Sequence, residues 1–477
     1  MKITDLQPRP VWEIFEMIAS IPHGSGNEAA LAQRLMAEAQ SRGLHAELDS
    51  VNNLLVKRPA SPGMEKCPKI IMQGHLDMVT IADKEFDFVN TPITLKIDGD
   101  RLTADGTTLG ADDGIGVALA LALLFDKDLQ AGELTGIFTV AEETGLTGAA
   151  AVSPQWLDGD MLFNLDGGSE TGFCIGCAGG ARQEFQFDHT LQAAPAGIPV
   201  KLTLGGLEGG HSGCCIHMER GNALKLLAGF IDQFPALRLA DFAGGSADNA
   251  IPAEAVASAV LTCGSIAELQ AGADFYISTV RSEFNAPESF FLKIEDASAI
   301  SQVWSDSLQH NFVSALTLVP DAVIEYDEEL AIVKTSSNCA AVMLRDDKII
   351  VRTSQRSLDD ECRELISNTL KIHFANFGAT STLGNAYPGW KPNPSSTLTR
   401  IAPAVWEKMY GNPIKVSAIH AGLECGWFFK KNPALQLLTL GPIMDDIHTP
   451  QEWLSIPSVA KYYKYFKELF KALYAQQ

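Results

Sequence analysis

The stretch KIIMQGHLD (69–77) shows how the first part of this chain folds. A short apolar run, KIIMQ, ends in a glycine, a histidine and a carboxylate, which is typical of a buried strand that carries polar groups at its end. Between other runs of this kind, GIGVALALALLF (114–125) is long enough and rich enough in Ala and Leu for a buried helix. Strands alternating with helices predict an α/β domain with a mostly parallel sheet. The other strand-like runs are NLLVKR (53–58), GIFTVA (136–141) and MLFNL (161–165).

The middle of the chain has a different pattern. Strand-like segments such as PVKLTLGG (199–206) are followed by helical ones such as NALKLLAGFIDQF (222–234), which favours an α+β arrangement. The α/β pattern returns near the end, with a helix at 396–410 and a strand at 434–440. A chain of 477 residues exceeds the size of a single hydrophobic core. We therefore predict an α/β domain in two parts, 1–185 and 386–477, interrupted by an inserted α+β domain at 186–385.

Composition limits the partners and the compartment. Hydrophobic residues make up 46% and charged residues 20%, with a formal net charge of -22, which argues against nucleic acid and anionic membranes as partners. The beginning of the chain lacks the basic and apolar regions of a signal peptide. No apolar run reaches the roughly 18 residues of a membrane span. The nine scattered cysteines are typical of reduced thiols, so we expect a cytoplasmic protein.

Acidic and imidazole groups follow the predicted strands. In an open parallel sheet, the carboxyl ends of the strands meet at one edge, so residues distant in sequence can converge there. Histidine nitrogens and carboxylate oxygens are ligands that zinc accepts, and one carboxylate can bridge two ions. Glu142, beside a ligand, could act as a general base, and Asp77 could accept the ring N–H of His75. The predicted metal ligands are His75, Asp112, Glu143, Asp166 and His448.

Each of these motifs also has an ordinary structural interpretation. A histidine after a strand is commonly a hydrogen-bonded structural residue, Asp-Asp-Gly is commonly a turn, and Glu-Glu is commonly a solvated loop. Acidic groups at successive strand ends, with His75 and His448 at the first and last such positions, favour the metal site over solvation.

Several motifs resemble those of the aminoacyl-histidine dipeptidases, a carnosinase-like family of the two-zinc aminoacylase and dipeptidase superfamily. The resemblance runs from about Ile21 to the C-terminus in a consistent motif order. The motifs are GHLDMV (74–79), GTTLGADDGIG (106–116), AEETGLTGA (141–149), NLDGG (164–168), GGHSGCCIH (209–217), NAIP (249–252), NAYPGWKPN (385–393) and HAGLECG (420–426).

The resemblance implies a role for each candidate ligand. His75 and Asp166 would bind one Zn²⁺, Glu143 and His448 the other, and Asp112 would bridge them, with a cis peptide after this aspartate. Mn²⁺ or Co²⁺ fits the same ligands. Asp77 and Glu142 match the family's orienting carboxylate and general base.

The resemblance also implies that the inserted domain is a lid. His211 of the GGHSG motif would stabilise the tetrahedral oxyanion, either within its own chain or from the partner in a homodimer; the alternative is a packing histidine. His217 lies close to it in sequence. Asn222 would contact substrate or cap a helix, and His420 and Glu424 would recognise the dipeptide or lie in a core turn. Cys214 and Cys215, and Ala247 and Asp248 before NAIP, depart from the family pattern.

The predicted function is metal-dependent hydrolysis of dipeptides, of the Xaa-His type such as β-Ala-His or broader. A hydroxide between two zinc ions would attack the scissile carbonyl, with Glu142 as general base. Two alternatives stay open. An N-acyl-amino-acid amidohydrolase would use the same metal site with a different pocket, and a non-catalytic peptide-binding protein would have no need of Glu142.

Overall fold

The structure is a computed structural model that describes residues 2–167 and 172–475. Gly168, at the end of the NLDGG motif, lies outside these residues. The α-helices of the described residues are α1 Arg9–Ala19, α2 Ala29–Ser41, α3 Ala111–Phe125, α4 Thr147–Ala151, α5 Ala223–Gln233, α6 Ile266–Val280, α7 Asp306–Leu318, α8 Asp360–Asn376, α9 Thr397–Tyr410, α10 Cys425–Lys431 and α11 Ile456–Tyr474.

Its strands, again for the described residues, are β1 His45–Leu48, β2 Leu54–Arg58, β3 Ile70–His75, β4 Leu95–Asp98, β5 Arg101–Ala104, β6 Leu134–Thr139, β7 Met161–Asn164, β8 Gly172–Cys177, β9 Gly179–Asp188, β10 Leu191–Ala193, β11 Ile198–Gly205, β12 Gly210–His211, β13 Leu237–Gly244, β14 Ala250–Ile251, β15 Ala255–Leu261, β16 Phe291–Asp296, β17 Gln302–Trp304, β18 Ala322–Asp327, β19 Ile332–Arg345, β20 Lys348–Ser357, β21 Thr380–Tyr387, β22 Lys415–Ile419, β23 Gln436–Thr439, β24 Met444–Asp445 and β25 Trp453–Ser455.

The chain forms two compact units. Unit 1 comprises Met1–Cys177, Trp390–Ala418 and Leu423–Gln477. Unit 2 comprises Ala178–Gly389 and Ile419–Gly422. The second unit is thus inserted into the first, and the short segment 419–422 returns to it.

The main sheet of unit 1 has the strand order β1-β2-β6-β3-β7-β23-β8-β22. Its centre, β6-β3-β7-β23, is parallel, as predicted from the alternation of strands and helices. The flanking pairs β1–β2, β2–β6 and β8–β23 are antiparallel, so the sheet is mixed rather than mostly parallel. The loop between β1 and β2 is too short for a crossover helix, which forces that pair to be antiparallel.

Helix α3 forms the centre of the unit 1 core. Its residues from Ala111 to Leu124 are all buried, as expected for a helix that is apolar on every side. Helix α1 packs against it, and a Cβ at Gly114 would lie 3.3 Å from Phe15, so glycine permits this close approach. Helix α11 packs its aromatic face on the sheet, where Phe466 contacts Phe163 of β7 with ring centroids 5.6 Å apart.

Unit 2 is built on a second sheet with the order β16-β11-β15-β13-β19-β20-β9-β21, and β18 pairs with β19. All the strand pairs described in this sheet are antiparallel. Helices α5, α7 and α8 pack on this sheet. Phe185 of β9 stacks on Phe374 of α8 with ring centroids 4.1 Å apart. This is the α+β arrangement that the middle of the sequence predicts.

Among the described residues, none of the helices combines the length and the apolar character that a membrane crossing requires.

Candidate metal centre

The predicted ligands follow the central parallel strands of unit 1. Strand β3 ends at His75, whose register partner is Thr139 at the end of β6, and β7 ends at Asn164, shortly before Asp166. Parallel strands bring these ends to one edge of the sheet, where ligands of open α/β sheets bind.

Three groups at this edge each combine one imidazole with two carboxylates, and one of them is His75, Glu142 and Glu143. The other two share Asp112: they are His75, Asp112 and Asp166, and Asp112, Glu143 and His448. In each group the candidate ligand atoms lie within 4.8 Å of one another. This donor set suits zinc and other divalent ions. The residues therefore fit two metal ions that share one carboxylate.

Asp112 lies between the two imidazoles. Its Oδ1 is 3.2 Å from Nε2 of His75, and its Oδ2 is 3.4 Å from Nε2 of His448. Nε2 of His448 is also 2.8 Å from Oε1 of Glu143. The peptide bond between Asp112 and Asp113 is cis, as the family resemblance implied.

The ionisation of these groups shows a site with excess negative charge. Burial and the neighbouring charge of Asp112 raise the pKa of Asp166 well above its usual range. Burial, together with the carboxylates of Glu424 and Glu143, raises the pKa of Glu142 to about 8. Hydrogen bonds with Asp112 and Glu143 raise the pKa of His448 to about 10. Crowded carboxylates that repel one another are relieved by bound cations, whose binding releases these protons.

Buried carboxylates hold the backbone of the loop that carries Glu142 and Glu143. Oδ1 and Oδ2 of Asp77 accept hydrogen bonds from the amides of Glu142 and Glu143, at 2.9 and 3.2 Å. Oε1 of Glu28 accepts one from the amide of Ala141, which has a left-handed φ of 51°. Three consecutive amides are therefore bound by two acidic side chains, which hold Glu142 in place beside the ligand Glu143.

The contact between Asp77 and His75 differs from the one expected. Nδ1 of His75 donates to the backbone carbonyl of Asp77 at 3.0 Å, whereas Oδ1 of Asp77 is 3.5 Å away. The carbonyl is thus the nearer acceptor and directs Nε2 toward Asp112. The Asp77 carboxylate hydrogen-bonds instead to the Glu142 loop and to the hydroxyl of Ser25.

A buried polar network lies inside unit 1, on the strands that carry the ligands. Oε2 of Glu424 accepts hydrogen bonds from Gln73 of β3 at 2.6 Å and from Thr139 of β6 at 2.8 Å. The amide of Asn164 on β7 donates to Gln73 at 2.7 Å. Glu424 is fully buried, with an exposure of 0%, and burial raises its pKa to about 7. Its position favours a structural role over direct contact with substrate.

Unit 2 holds a second cluster, around His211. Nδ1 of His211 accepts hydrogen bonds from the amides of Gly213 and Cys214, at 3.2 and 3.1 Å. The proton of the neutral ring therefore belongs on Nε2. Nε2 lies 3.4 Å from Nη2 of Arg356, so two N–H donors face each other. An oxygen anion is the group that both donors could share.

Arg356 is a buried cation that has no acidic partner among the residues the structure describes. Its residue exposure is 6%, Nη1 donates to the hydroxyl of Tyr387 at 2.8 Å, and buried Nε has no hydrogen-bond partner. Within the described part of the chain, no carboxylate forms an ion pair with it. A buried charge left unpaired is strongly destabilising, so this guanidinium is suited to an anionic ligand.

Of the remaining candidate residues of unit 2, Asn222 and His420 make internal contacts and His217 is exposed. Asn222 caps helix α5: its Oδ1 accepts from the amides of Leu224 and Lys225, and its Nδ2 donates to the carbonyl of Cys339. The ring of His420 is buried, with Nε2 2.7 Å from Oγ of Ser336. His217 is exposed on the turn Ile216–Met218. For Asn222 the sequence left two roles open, contact with substrate and capping of a helix, and the structure shows the cap.

Comparison with known proteins decides the family. The sequence profile of Peptidase family M20/M25/M40 matches residues 71–472, which is most of the chain. The chain belongs to this family. An M20 peptidase is a metal-dependent enzyme, so the chain is a metallopeptidase, and the acidic edge of the unit 1 sheet supplies clusters that suit the metal.

Two relatives match the whole length of this M20 peptidase. The chain is 36% identical over 483 residues to the cytosol non-specific dipeptidase of Escherichia coli (strain K12), covering 100% of each chain. The chain also matches the crystal structure of aminoacylhistidine dipeptidase from Vibrio alginolyticus. The two sequences are 38% identical, and the structures superpose with a TM-score of 0.92 over 99% of this chain and 98% of that one. These matches confirm the predicted family resemblance. Human carnosine dipeptidase 1, at 14% identity and a TM-score of 0.52, shares the fold.

Two polar residues of this M20 peptidase were not predicted from its sequence. Arg356 lies near the end of β20 in the polar stretch TSQRS (353–357), and Arg352 on the same strand is charged as well, so the sequence does not single it out. Glu452 is a fully buried acid on the loop of His448, and the sequence around it gives no signal either. Its partners are backbone amides elsewhere in the chain, which no side-chain pattern reveals.

Proposed function

We propose that this M20 peptidase is a cytoplasmic dipeptidase that hydrolyses dipeptides with a free carboxylate, including Xaa-His dipeptides such as β-Ala-His. The observation that carries the proposal is the pair of three-residue groups that share Asp112, with Glu142 in the adjoining loop. Similarity to a cytosol non-specific dipeptidase and to an aminoacylhistidine dipeptidase supports both the compartment and the substrate class.

The proposed cofactor is a pair of zinc ions. His75 and Asp166 would hold one ion, Glu143 and His448 the other, and Asp112 both; Mn²⁺ or Co²⁺ would suit the same ligands. When bound, such ions polarise a carbonyl oxygen and bring the pKa of water close to neutral.

Glu142 is the proposed proton carrier. It takes a proton from the attacking water as the water oxygen bonds to the scissile carbonyl carbon. It then gives that proton to the leaving nitrogen as the C–N bond breaks, which releases two amino acids from a dipeptide. Three features support this role: its half-buried position, the pKa of about 8 to which desolvation and the neighbouring carboxylates raise it, and the hydrogen bond from its amide to Asp77. Asp77 would position the loop of Glu142 rather than transfer protons.

Unit 2 carries two donors suited to a negatively charged group. We assign His211 Nε2–H and the Arg356 guanidinium together to one anion, the free carboxylate of the dipeptide; the oxyanion role that the family resemblance implies for His211, within its own chain or from a partner, is the alternative. The facing donors of these two side chains and the missing acidic partner of Arg356 support this assignment. Preorganised donors of this kind are a large source of transition-state stabilisation.

The test is an assay of amino-acid release from five substrates: β-Ala-His, Ala-His, Gly-Gly, a tripeptide and an N-acetyl amino acid. Each substrate is assayed with the purified protein, after chelation, and after addition of zinc, manganese or cobalt. We expect cleavage of the dipeptides that disappears on chelation and returns with metal, and little cleavage of the tripeptide. Cleavage of the N-acetyl amino acid alone would instead identify an amidohydrolase. Tight binding of dipeptides without product, under every metal, would identify a binding protein.

A further inference from the structure

Glu452 makes an unusual set of contacts close to the candidate metal centre. It lies on the loop between β24 and β25 that also carries His448, and its residue exposure is 2%. Its Oε2 accepts hydrogen bonds from the amides of Leu109 at 2.7 Å and Gly110 at 3.1 Å. Its Oε1 accepts from the amides of Ala111 at 2.8 Å and Asp112 at 3.3 Å. One carboxylate thus binds four consecutive amides that end at the shared ligand.

Leu109 and Gly110 precede helix α3, and Ala111 and Asp112 begin it, although Asp112 and Asp113 have non-helical backbone angles. These four amides therefore have no hydrogen-bond acceptor within the helix. A side chain close in sequence caps most helices, and a carboxylate there also interacts favourably with the helix dipole. Helix α3 has no side-chain cap from Gly110, which has a left-handed φ of 71°. Its cap comes from Glu452, which is 340 residues from Asp112 in sequence.

The loop of Glu452 is itself well defined by hydrogen bonds. The hydroxyl of Thr449 donates to the carbonyl of Asp446 at 2.7 Å and accepts from the amide of Gln451 at 3.1 Å. The amide of Glu452 donates to the carbonyl of Thr449 at 3.1 Å. His448 has a left-handed φ of 61°, a conformation that a non-glycine residue keeps only when its surroundings hold it. The bonds of this turn thus join residues on both sides of His448 to Glu452.

The same loop thus contacts Asp112 in two ways. Glu452 binds the backbone that leads to Asp112, and Nε2 of His448 lies 3.4 Å from its Oδ2. We propose that Glu452 is a positioning residue that holds Asp112 at the correct distance from His448 and so sets the affinity and geometry of the metal pair. This inference rests on the metal centre proposed above. An ordinary helix cap would stabilise the fold without any effect on metal binding.

Glu268 offers a matched control. It forms a capping box with Ser265 at the beginning of α6 in unit 2, where its Oε2 accepts from the Ser265 amide at 2.8 Å. Glu268→Gln therefore changes a capping glutamate that has no connection with a metal ligand. Glu452→Gln should lower the melting temperature of the metal-free protein, and Glu268→Gln should lower it less, because Glu268 is exposed and glutamine also accepts a hydrogen bond in a capping box.

The experiment compares Co²⁺ binding by the full-length wild type, Glu452→Gln, Glu452→Asp and Glu268→Gln. Affinity is measured by competition with a chelator, and ligand geometry by the visible absorption spectrum of bound Co²⁺. We expect Glu452→Gln to weaken Co²⁺ binding by about 10- to 100-fold, the usual effect of losing a residue that orients a metal ligand, and to change the spectrum. Glu452→Asp keeps the charge but reaches fewer amides, so its affinity should lie between Gln and wild type.

Two outcomes would overturn the inference. If Glu452→Gln, or Glu452→Asp in case the glutamine variant does not fold, binds Co²⁺ with wild-type affinity and spectrum, then Glu452 is only a helix cap. Equal weakening by Glu268→Gln would mean that loss of stability, not positioning, controls metal binding. A wild-type protein that binds no metal would refute the proposed metal centre itself, which is a different result from an unaffected variant.

Discussion

The two units carry clusters of opposite electrostatic character. In unit 1, carboxylates around Asp112 crowd together, and hydrogen bonds to them raise the pKa of His448 to about 10. In unit 2, burial and the charge of Arg356 lower the pKa of His420 to about 3, and the same two causes lower that of His211. The pKa values of His75 and His448 in the first cluster are raised, and those of His211 and His420 in the second are lowered.

This difference shows what each cluster lacks. The unit 1 cluster has more carboxylates than its imidazoles can neutralise, so a bound cation completes it. The unit 2 cluster has a buried guanidinium and a histidine N–H with no anion to share, so an anionic ligand completes it.

The largest expected effect on activity comes from replacing Glu142 in unit 1. Glu142→Gln keeps the size of the side chain but removes its ability to accept a proton, so turnover should fall by about 10²- to 10⁴-fold. Because the ligand groups around Asp112 stay intact, the metal content should equal that of wild type. Turnover on β-Ala-His and metal analysis of the same preparation check both statements, with Glu13→Gln on the exposed side of α1 as control. Substantial activity in Glu142→Gln would show that another group carries the proton.

Arg356 gives the next largest effect, on the unit 2 side. Arg356→Gln should raise KM for dipeptides by about 10- to 100-fold, since a hydrogen bond to a charged group contributes about 1.5–3 kcal/mol. The matched control is Arg352→Gln on the same strand, because Arg352 pairs with Glu184 and Asp248.

Dipeptide amides sharpen this test, because they lack the carboxylate that Arg356 is proposed to bind. Wild type should prefer a dipeptide over its amide, and Arg356→Gln should lose that preference. A preference that survives in Arg356→Gln would assign carboxylate recognition to another residue.

The smallest expected effect comes from replacing His420, and it is an effect on the free energy of unfolding. Because its folded pKa of about 3 lies below the ordinary value of 6.5, its unfolded form binds a proton that the folded form excludes. Its contribution to stability is therefore complete above pH 6.5 and is lost as the pH falls toward 3, by at most about 1.4 kcal/mol per pH unit. His420→Gln removes this dependence.

Urea unfolding of wild type and His420→Gln, between pH 7 and pH 5, checks the prediction. The free energy of unfolding should fall more steeply for wild type than for the variant. Parallel curves would mean that His420 accepts a proton in the folded protein, and that the unit 2 cluster does not exclude additional positive charge.

Much of the unit 1 site followed from simple sequence patterns. Apolar runs located β3, β6 and β7, and the polar residues after them, His75, Glu143 and Asp166, lie close together because parallel strands end at one edge. The antiparallel outer strands were not predicted, since an apolar run does not show the direction of its neighbour.

Contacts between side chains and distant backbone amides were the part that sequence could not provide. Asp77 was predicted to orient the ring of His75, and its Oδ1 lies 3.5 Å from Nδ1 of that ring, but its hydrogen bonds to the amides of the Glu142 loop were not predicted. Glu424 was a candidate for substrate recognition and is fully buried between Gln73 and Thr139. In each case the residue was recognised as polar and placed near the site, but its partner depends on tertiary packing.

The most direct test of the account is anomalous diffraction at the zinc edge from crystals of the wild-type protein grown with zinc. We predict two peaks in unit 1, one bonded to His75 and Asp166 and the other to Glu143 and His448, with Asp112 bonded to both. A single peak, or peaks away from these residues, would contradict the shared-carboxylate centre on which the proposed dipeptidase activity rests.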